Sequence, residues 1–193
     1  MRICIFGASG QNLAQAYFEA AEELGRLLAQ KGHTLVFGGG AKGLMGACAR
    51  GAAAGGCEII GVAPRFFDEP GVLFGSCSRF VYTDTMGERK AAMVEMSDAF
   101  LVLPGGIGTF EEFFEVLTLK QLGQHAKPIS LLNTLGYYDD LQKLLEKAAE
   151  GAFLSRSALL LYHLCDTPEQ ALSAIEQDVP MTGNSRRLID YAK

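Results

Sequence analysis

Apolar residues along the chain fall into two patterns: short unbroken apolar runs, and longer stretches in which apolar positions recur every three or four residues. Unbroken runs read as strands buried on both faces, and the longer period reads as helices with one buried stripe. The runs predict strands at 2–6, 34–37, 59–63, 80–82, 99–103 and 129–132. The periodic stretches predict helices at 13–31, 44–55, 86–97, 109–122, 138–150 and 168–177, with Gly32 just past the end of the first. Strands alternating with helices predict an α/β fold, a Rossmann-like doubly wound parallel sheet with helices on both faces. The pattern predicts one domain over 1–179 and a polar C-terminal tail over 180–193, with no internal repeat. Residues 65–78, which follow Pro64 and contain Pro70, lack periodicity and read as a mobile loop near a site.

The stretch 101–112, LVLPGGIGTFEE, carries the most chemistry. An apolar strand stops at Pro104 and opens into glycines before a helix, an arrangement that delivers an anion to a helix N-terminus. Gly105, Gly106 and Gly108 lack a Cβ, so they can take φ > 0 and let a phosphate reach their N–H groups. Thr109 stands where an N-cap or first-turn hydroxyl belongs, and Phe110, Phe113, Phe114 and Leu117 recur at helical spacing. That apolar face serves either the core or an interface, and the core is the simpler expectation. Glu111 and Glu112 fall in the predicted first turn, where acid ordinarily complements the helix dipole. Beside a phosphate, however, a carboxylate costs affinity, so its presence points to chemistry.

Three glycine-bearing turns follow strands, at 7–10, 38–43 and 105–108, and in an open parallel sheet such turns converge on one crevice. Gly38, Gly40 and Gly43 have GxGxxG spacing, the usual mark of a dinucleotide site. Here it follows the second strand, and Glu58 precedes the next strand instead of ending it, so an NAD or FAD site is not expected. No GxxxxGK[ST] occurs.

With 193 residues and a net charge of −5, the chain has no basic run to contact a nucleic acid or an acidic membrane. An anionic ligand must therefore be met by local positive charge. The five cysteines are scattered and free of CxxC pairs, so packed thiols are expected rather than disulfides or zinc. His33, His125 and His163 are isolated and fit no metal-ligand spacing. The chain opens directly into a strand, without the apolar core of a signal peptide or a membrane span, which predicts a cytoplasmic protein.

Arg89 and Lys90 lie near the start of a predicted helix in an otherwise acidic chain. Such a pair ordinarily marks a solvated face, yet cations near a helix N-terminus are unfavourable and call for a carboxylate or phosphate partner. MGERKAAM at 86–93 followed by SDAFLVLPGGIGTFEE at 97–112 resembles the paired RK and PGGxGTxxE motifs of the LONELY GUY family. GGGAKGLMG at 38–46, QLGQHAKPISLLN at 121–133 and GYYDDL at 136–141 are similar to the same family, so the resemblance runs from about residue 2 to about 175.

The resemblance implies a cytokinin riboside 5'-monophosphate phosphoribohydrolase acting on AMP or a cytokinin riboside 5'-monophosphate, without metal or cofactor, and a homodimer. It assigns catalysis to Arg89 and Glu112. It carries Lys90, Gly106, Ile107, Gly108, Thr109 and Thr118 to substrate-binding positions. Ser9, Gly39, Gly40, Met86, Gly105 and Glu111, in or beside the same motifs, complete the candidate binding set. Two departures stand out: Ala8 replaces a common serine in the first turn, and Gly87 replaces a common histidine. The implied reaction passes through an oxocarbenium-like sugar, which Glu112 stabilises while orienting or deprotonating water. Arg89 holds Glu112 ionised, and the source of the proton for the leaving base stays open.

Family members also carry a lysine decarboxylase label, but no lysine sits in a recognisable pyridoxal phosphate setting. No GxSxG elbow supports serine hydrolysis. The alternative from another class is a nucleotide or cofactor carrier that uses the same pocket without turnover.

Overall fold

The computed structural model of the protein describes residues 1–178, so the predicted tail at 180–193 lies outside the described residues. The strands are β1 (Arg2–Phe6), β2 (Thr34–Phe37), β3 (Glu58–Pro64), β4 (Arg79–Thr83), β5 (Ala99–Val102), β6 (Ile129–Leu132) and β7 (His163–Cys165). The helices are α1 (Gln15–Gln30), α2 (Gly43–Ala54), α3 (Met86–Met96), α4 (Ile107–Gln121), α5 (Asp139–Glu150) and α6 (Pro168–Gln177). All strands pair in parallel in one sheet of order β4-β3-β2-β1-β5-β6-β7.

The α/β sheet expected from the pattern is thus present, with one strand more than expected. β7 is only three residues, HLC, half-buried at the sheet edge, too short and too mixed in polarity to register as an apolar run. Alternation along each strand feeds two cores. Ile3 and Ile5 face α1, α2 and α6, whereas Cys4 and Phe6 face α3, α4 and α5. All four are fully or nearly fully buried, which is why β1 reads as unbroken apolar sequence. Gly32, at φ +68, ends α1 as expected: its N–H bonds the Ala29 carbonyl and that of His33 bonds Leu28, closing the last turn.

Strand order reverses between β1 and β5, and the C-terminal ends of these two strands open the crevice. Backbone contacts join the three glycine turns there. The Ala8 N–H donates to the Pro104 carbonyl at 3.0 Å, and the Leu44 N–H donates to the Ala8 carbonyl at 2.8 Å. Gly43, at φ +63, must be glycine, because a Cβ there would lie 2.2 Å from the Ala8 carbonyl oxygen. Residues 72–74 pair with the second turn, through Ala41 N–H to Val72 and Phe74 N–H to Gly39, so this segment straps the crevice.

Candidate active site

α4 begins at Ile107, two residues earlier than the sequence pattern suggests, and Gly106 is its N-cap. Glu111 and Glu112 therefore lie in the second turn, not the first, and serve no dipole-capping role; the first turn holds no acid. The glycines before α4 also act differently from expectation. None of Gly105, Gly106 and Gly108 has positive φ. Gly106 and Gly108 are exposed with open space where a Cβ would stand, so they leave the helix N-terminus bare to a ligand. Gly105 is buried, and a Cβ on it would lie 2.1 Å from the Thr109 hydroxyl oxygen. Thr109 is accordingly a buried residue of the first turn packed on Gly105, and makes no N-cap hydrogen bond. From behind, Tyr137 donates to the Gly105 carbonyl at 2.5 Å and Tyr138 to that of Leu103 at 2.7 Å, fixing the turn.

α3 starts with a capping box in which the Thr85 hydroxyl accepts from the Glu88 N–H while the Glu88 carboxylate accepts from that of Thr85. Arg89 and Met93 are the buried positions of this helix, one turn apart, so Arg89 faces inward and Lys90 lies toward α4. Arg89 is 6 % exposed. Its Nε donates to the Val62 carbonyl at 3.2 Å and its Nη1 to Glu112 Oε1 at 3.3 Å. The solvated-face reading of Arg89 is thereby replaced by a buried ion pair, the Glu112 side chain being only 12 % exposed. Lys90 pairs with Glu111 and, at 3.0 Å, with Glu115, and the Glu111 bond above all raises its pKa. Burial pushes the Glu112 carboxyl above its ordinary range, and the Arg89 charge and hydrogen bond oppose that rise. A cavity of about 440 Å³ opens beside Arg89, with neither Glu112 nor the 105–109 turn in its lining. Its polar lining is Ser9, Lys42 and Arg89; Met45, Phe67, Met86 and the strap residues Val72 and Leu73 supply the apolar wall.

Of the sequence-derived site residues, Ser9, Gly40, Met86 and Arg89 line this cavity. Gly39, at φ +77, lies in the turn between Gly38 and Gly40. The 105–109 turn stands at the N-terminus of the helix that carries Glu112. Ile107 points into solvent, 89 % exposed. Thr118 is not brought to this cluster: it is exposed on α4, nine residues and so about 13 Å along the helix from Thr109. The loop at 65–78, expected near a site, does contribute Phe67, Val72 and Leu73 to the cavity, whereas Lys42 is a lining residue that the sequence reading did not include. Glu58 opens β3 at the end away from the crevice and accepts from Thr34, as its position in the sequence suggested. Phe113 and Leu117 enter the core, and Phe114 stays 37 % exposed.

Gly38 decides where Arg89 can lie. A Cβ there would fall 1.9 Å from Arg89 Nη2, so the guanidinium rests directly on the glycine backbone. Gly38→Ala should lower the unfolding temperature, because a displaced guanidinium leaves Glu112 buried without its partner, and should cost activity by about 100-fold through misplacement of the charge. Thermal unfolding and turnover measured together test this; full activity in the variant would contradict it.

Three comparisons bear on this geometry. A family model described as possible lysine decarboxylase matches residues 45–175. A probable cytokinin riboside 5'-monophosphate phosphoribohydrolase of Oryza sativa subsp. japonica is 41% identical over 93% of this chain and 72% of its own. A cytokinin riboside 5'-monophosphate phosphoribohydrolase of Arabidopsis thaliana is 38% identical over 93% of this chain and 84% of its own. Among solved structures, a molybdenum cofactor carrier protein of Chlamydomonas reinhardtii superposes with TM-score 0.70 at 25% identity, covering 91% of this chain and 96% of that one. A molybdenum cofactor binding protein of Rippkaea orientalis is similar in fold, with TM-score 0.69 at 22% identity over 91% of this chain and 94% of that one. With relatives this similar over nearly its whole length, and with the paired RK and PGGxGTxxE motifs meeting in space through Arg89 and Glu112, the chain belongs to the LONELY GUY family.

Proposed function

We propose that this protein hydrolyses the N-glycosidic bond of a nucleoside 5'-monophosphate, AMP or a cytokinin riboside 5'-monophosphate, giving free base and ribose 5-phosphate. The relatives named as phosphoribohydrolases support the activity. The observation that carries the residue assignment is the buried Arg89–Glu112 pair, in which Arg89 lines the cavity and Glu112 stands in the second turn of α4, the helix whose N-terminus is bare. In this reading the phosphate lies on the amides of Gly106 to Thr109, where the helix dipole and free N–H groups favour an anion. The sugar then stands over Glu112 and the base fills the cavity. As the C1'–N bond lengthens, Glu112 stabilises the developing cation and takes a proton from the attacking water, while Arg89 keeps the carboxylate charged and aimed. A carrier needs no buried carboxylate next to its anion site, and the likeness to cofactor carriers is a likeness of fold. The decarboxylase description finds no support at Lys90, whose ammonium is already engaged by Glu111 and Glu115.

The dimer is part of the same proposal. Ile107, Phe114 and Leu122 are 89 %, 37 % and 41 % exposed and share one face of α4 with Glu111 and Thr118. Thr118 serves a substrate only if a second copy brings its cavity to that face. Sedimentation should give twice the 20.7 kDa chain mass for the wild type and a single chain for Phe114→Glu; a monomeric wild type would contradict the arrangement.

Glu112→Gln keeps the shape of the side chain and removes its charge. Turnover should fall by about 10²- to 10⁴-fold with AMP still bound and the fold intact; near-normal adenine release would remove Glu112 from the mechanism. Because Glu112 acts as the carboxylate and burial raises its pKa, kcat/KM should fall with decreasing pH through an apparent pKa above that of an ordinary glutamate.

AMP should be preferred over adenosine and ATP, with activity retained in a chelator. Adenosine forfeits the charge-assisted hydrogen bonds at the α4 terminus, each worth about 1.5–3 kcal/mol, so losing two costs about two orders of magnitude or more in kcat/KM. ATP adds charge that a turn without a P-loop lysine does not neutralise. Equal efficiency on adenosine, or abolition of AMP hydrolysis by chelation, would overturn this assignment of the phosphate site.

A further inference from the structure

The proposed hydrolysis leaves one need unmet, a proton for the departing base. Arg89 does not supply it, because guanidinium keeps its proton in proteins, and Glu112 is required as the carboxylate that accepts one from water. The cavity wall contains one ionisable side chain besides Arg89, that of Lys42, an exposed residue at its rim. Lys42 occupies the N-cap of α2, with extended backbone at φ −105 and ψ 170. Lysine is a poor residue there, since it accepts no hydrogen bond from the first amides and its charge opposes the positive end of the helix dipole. Among the described residues its ammonium makes no ion pair or side-chain hydrogen bond, whereas Arg89, the other cation of the wall, is held by Val62 and Glu112. A local rule is broken without a structural return, which is how functional positions present themselves.

Topology sets Lys42 at the correct end. The turn before α4 follows β5, the Lys42 turn follows β2, and β1 lies between them. Two strand spacings separate the turns by about 10 Å, the span of a nucleotide from phosphate to base. A substrate with its phosphate on α4 and its sugar over Glu112 therefore extends its base toward Lys42, against the apolar wall of Met45, Met86 and the strap.

We infer that Lys42 is a further catalytic residue, the acid that protonates the leaving purine; this rests on the hydrolase reading above. The C1'–N9 bond breaks with its electron pair passing to the purine, and a proton moves from the Lys42 ammonium to a ring nitrogen of the base. The water oxygen bonds C1', its proton passes to Glu112, and that proton returns to the Lys42 amine through solvent. The products are neutral purine and ribose 5-phosphate, with both residues restored.

The test compares wild type, Lys42→Met and Lys42→Arg on AMP and on 6-chloropurine riboside 5'-monophosphate, whose base departs more readily without an acid. Lys42→Met should lower kcat on AMP by about 10²- to 10⁴-fold with KM changed only a few-fold, and should affect the chloropurine substrate far less. Lys42→Arg should be equally slow on AMP, because it keeps the charge and cannot release a proton. An unchanged kcat in Lys42→Met, recovery in Lys42→Arg, or an equal loss on both substrates would overturn the role of Lys42. If the wild type released no adenine from AMP, the hydrolase reading itself would fail, an outcome distinct from these.

Discussion

A guanidinium and a carboxylate placed together out of water set the terms for the rest of this structure. Burying either charge alone costs several kcal/mol, so Arg89 and Glu112 are stable in the crevice only as partners with further hydrogen bonds. Much of the surrounding architecture meets that condition. The Val62 carbonyl accepts from Arg89 Nε, burial of Met93 on the same face of α3 keeps Arg89 inward, and Gly38 leaves room for the planar group. Lys90, one residue on, draws Glu111 and Glu115 of α4 to the same seam, so the two helices are held in register by charge on both sides. Such a pair contributes little net stability. Its value is a carboxylate at a defined depth, with its pKa pushed up by burial and pulled down by Arg89.

The doubly wound sheet supplies the other half of the geometry. Reversal of strand order between β1 and β5 opens the crevice, and hydrogen bonds from Ala8 to Pro104 and from Leu44 to Ala8 make the three glycine turns one rigid surface. Tyr137 and Tyr138, following β6, hold the turn before α4 from behind. The same scaffold, at TM-scores near 0.70, occurs in proteins named as cofactor carriers. What separates an enzyme from a carrier on this fold is therefore a matter of side chains, the buried pair first among them.

Most of the fold was legible because parallel strands buried on both faces leave continuous apolar runs, and β1, β2 and β6 appear in the structure with the bounds their runs predict. β7 was not legible: three half-buried residues at an edge produce no run. The start of α4 differs from the expected one because Ile107 and Gly108 resemble loop in the sequence, whereas the bond from the Phe110 N–H to the Gly106 carbonyl begins the helix earlier; this moves Glu111 and Glu112 into the second turn. The pairing of Arg89 with Glu112 followed from the family motifs, since a contact across 23 residues leaves no local periodicity. The strap lies in the 65–78 loop that the sequence places near a site, and Lys42 lies within the 38–46 motif, but neither carries a pattern that names its individual role. Their proximity to Arg89 arises from backbone bonds between residues 39–41 and 72–74, and the one available hint was a lysine where a helix wants an N-cap acceptor.

The central claim is that water, activated beside the buried Arg89–Glu112 pair, attacks C1' of a nucleoside 5'-monophosphate. Reaction of AMP in ¹⁸O-enriched water, with the products separated and weighed by mass spectrometry, addresses it most directly. The account predicts free adenine without label and ribose 5-phosphate carrying one ¹⁸O at C1. Label in inorganic phosphate with release of adenosine, or recovery of intact AMP, would contradict it.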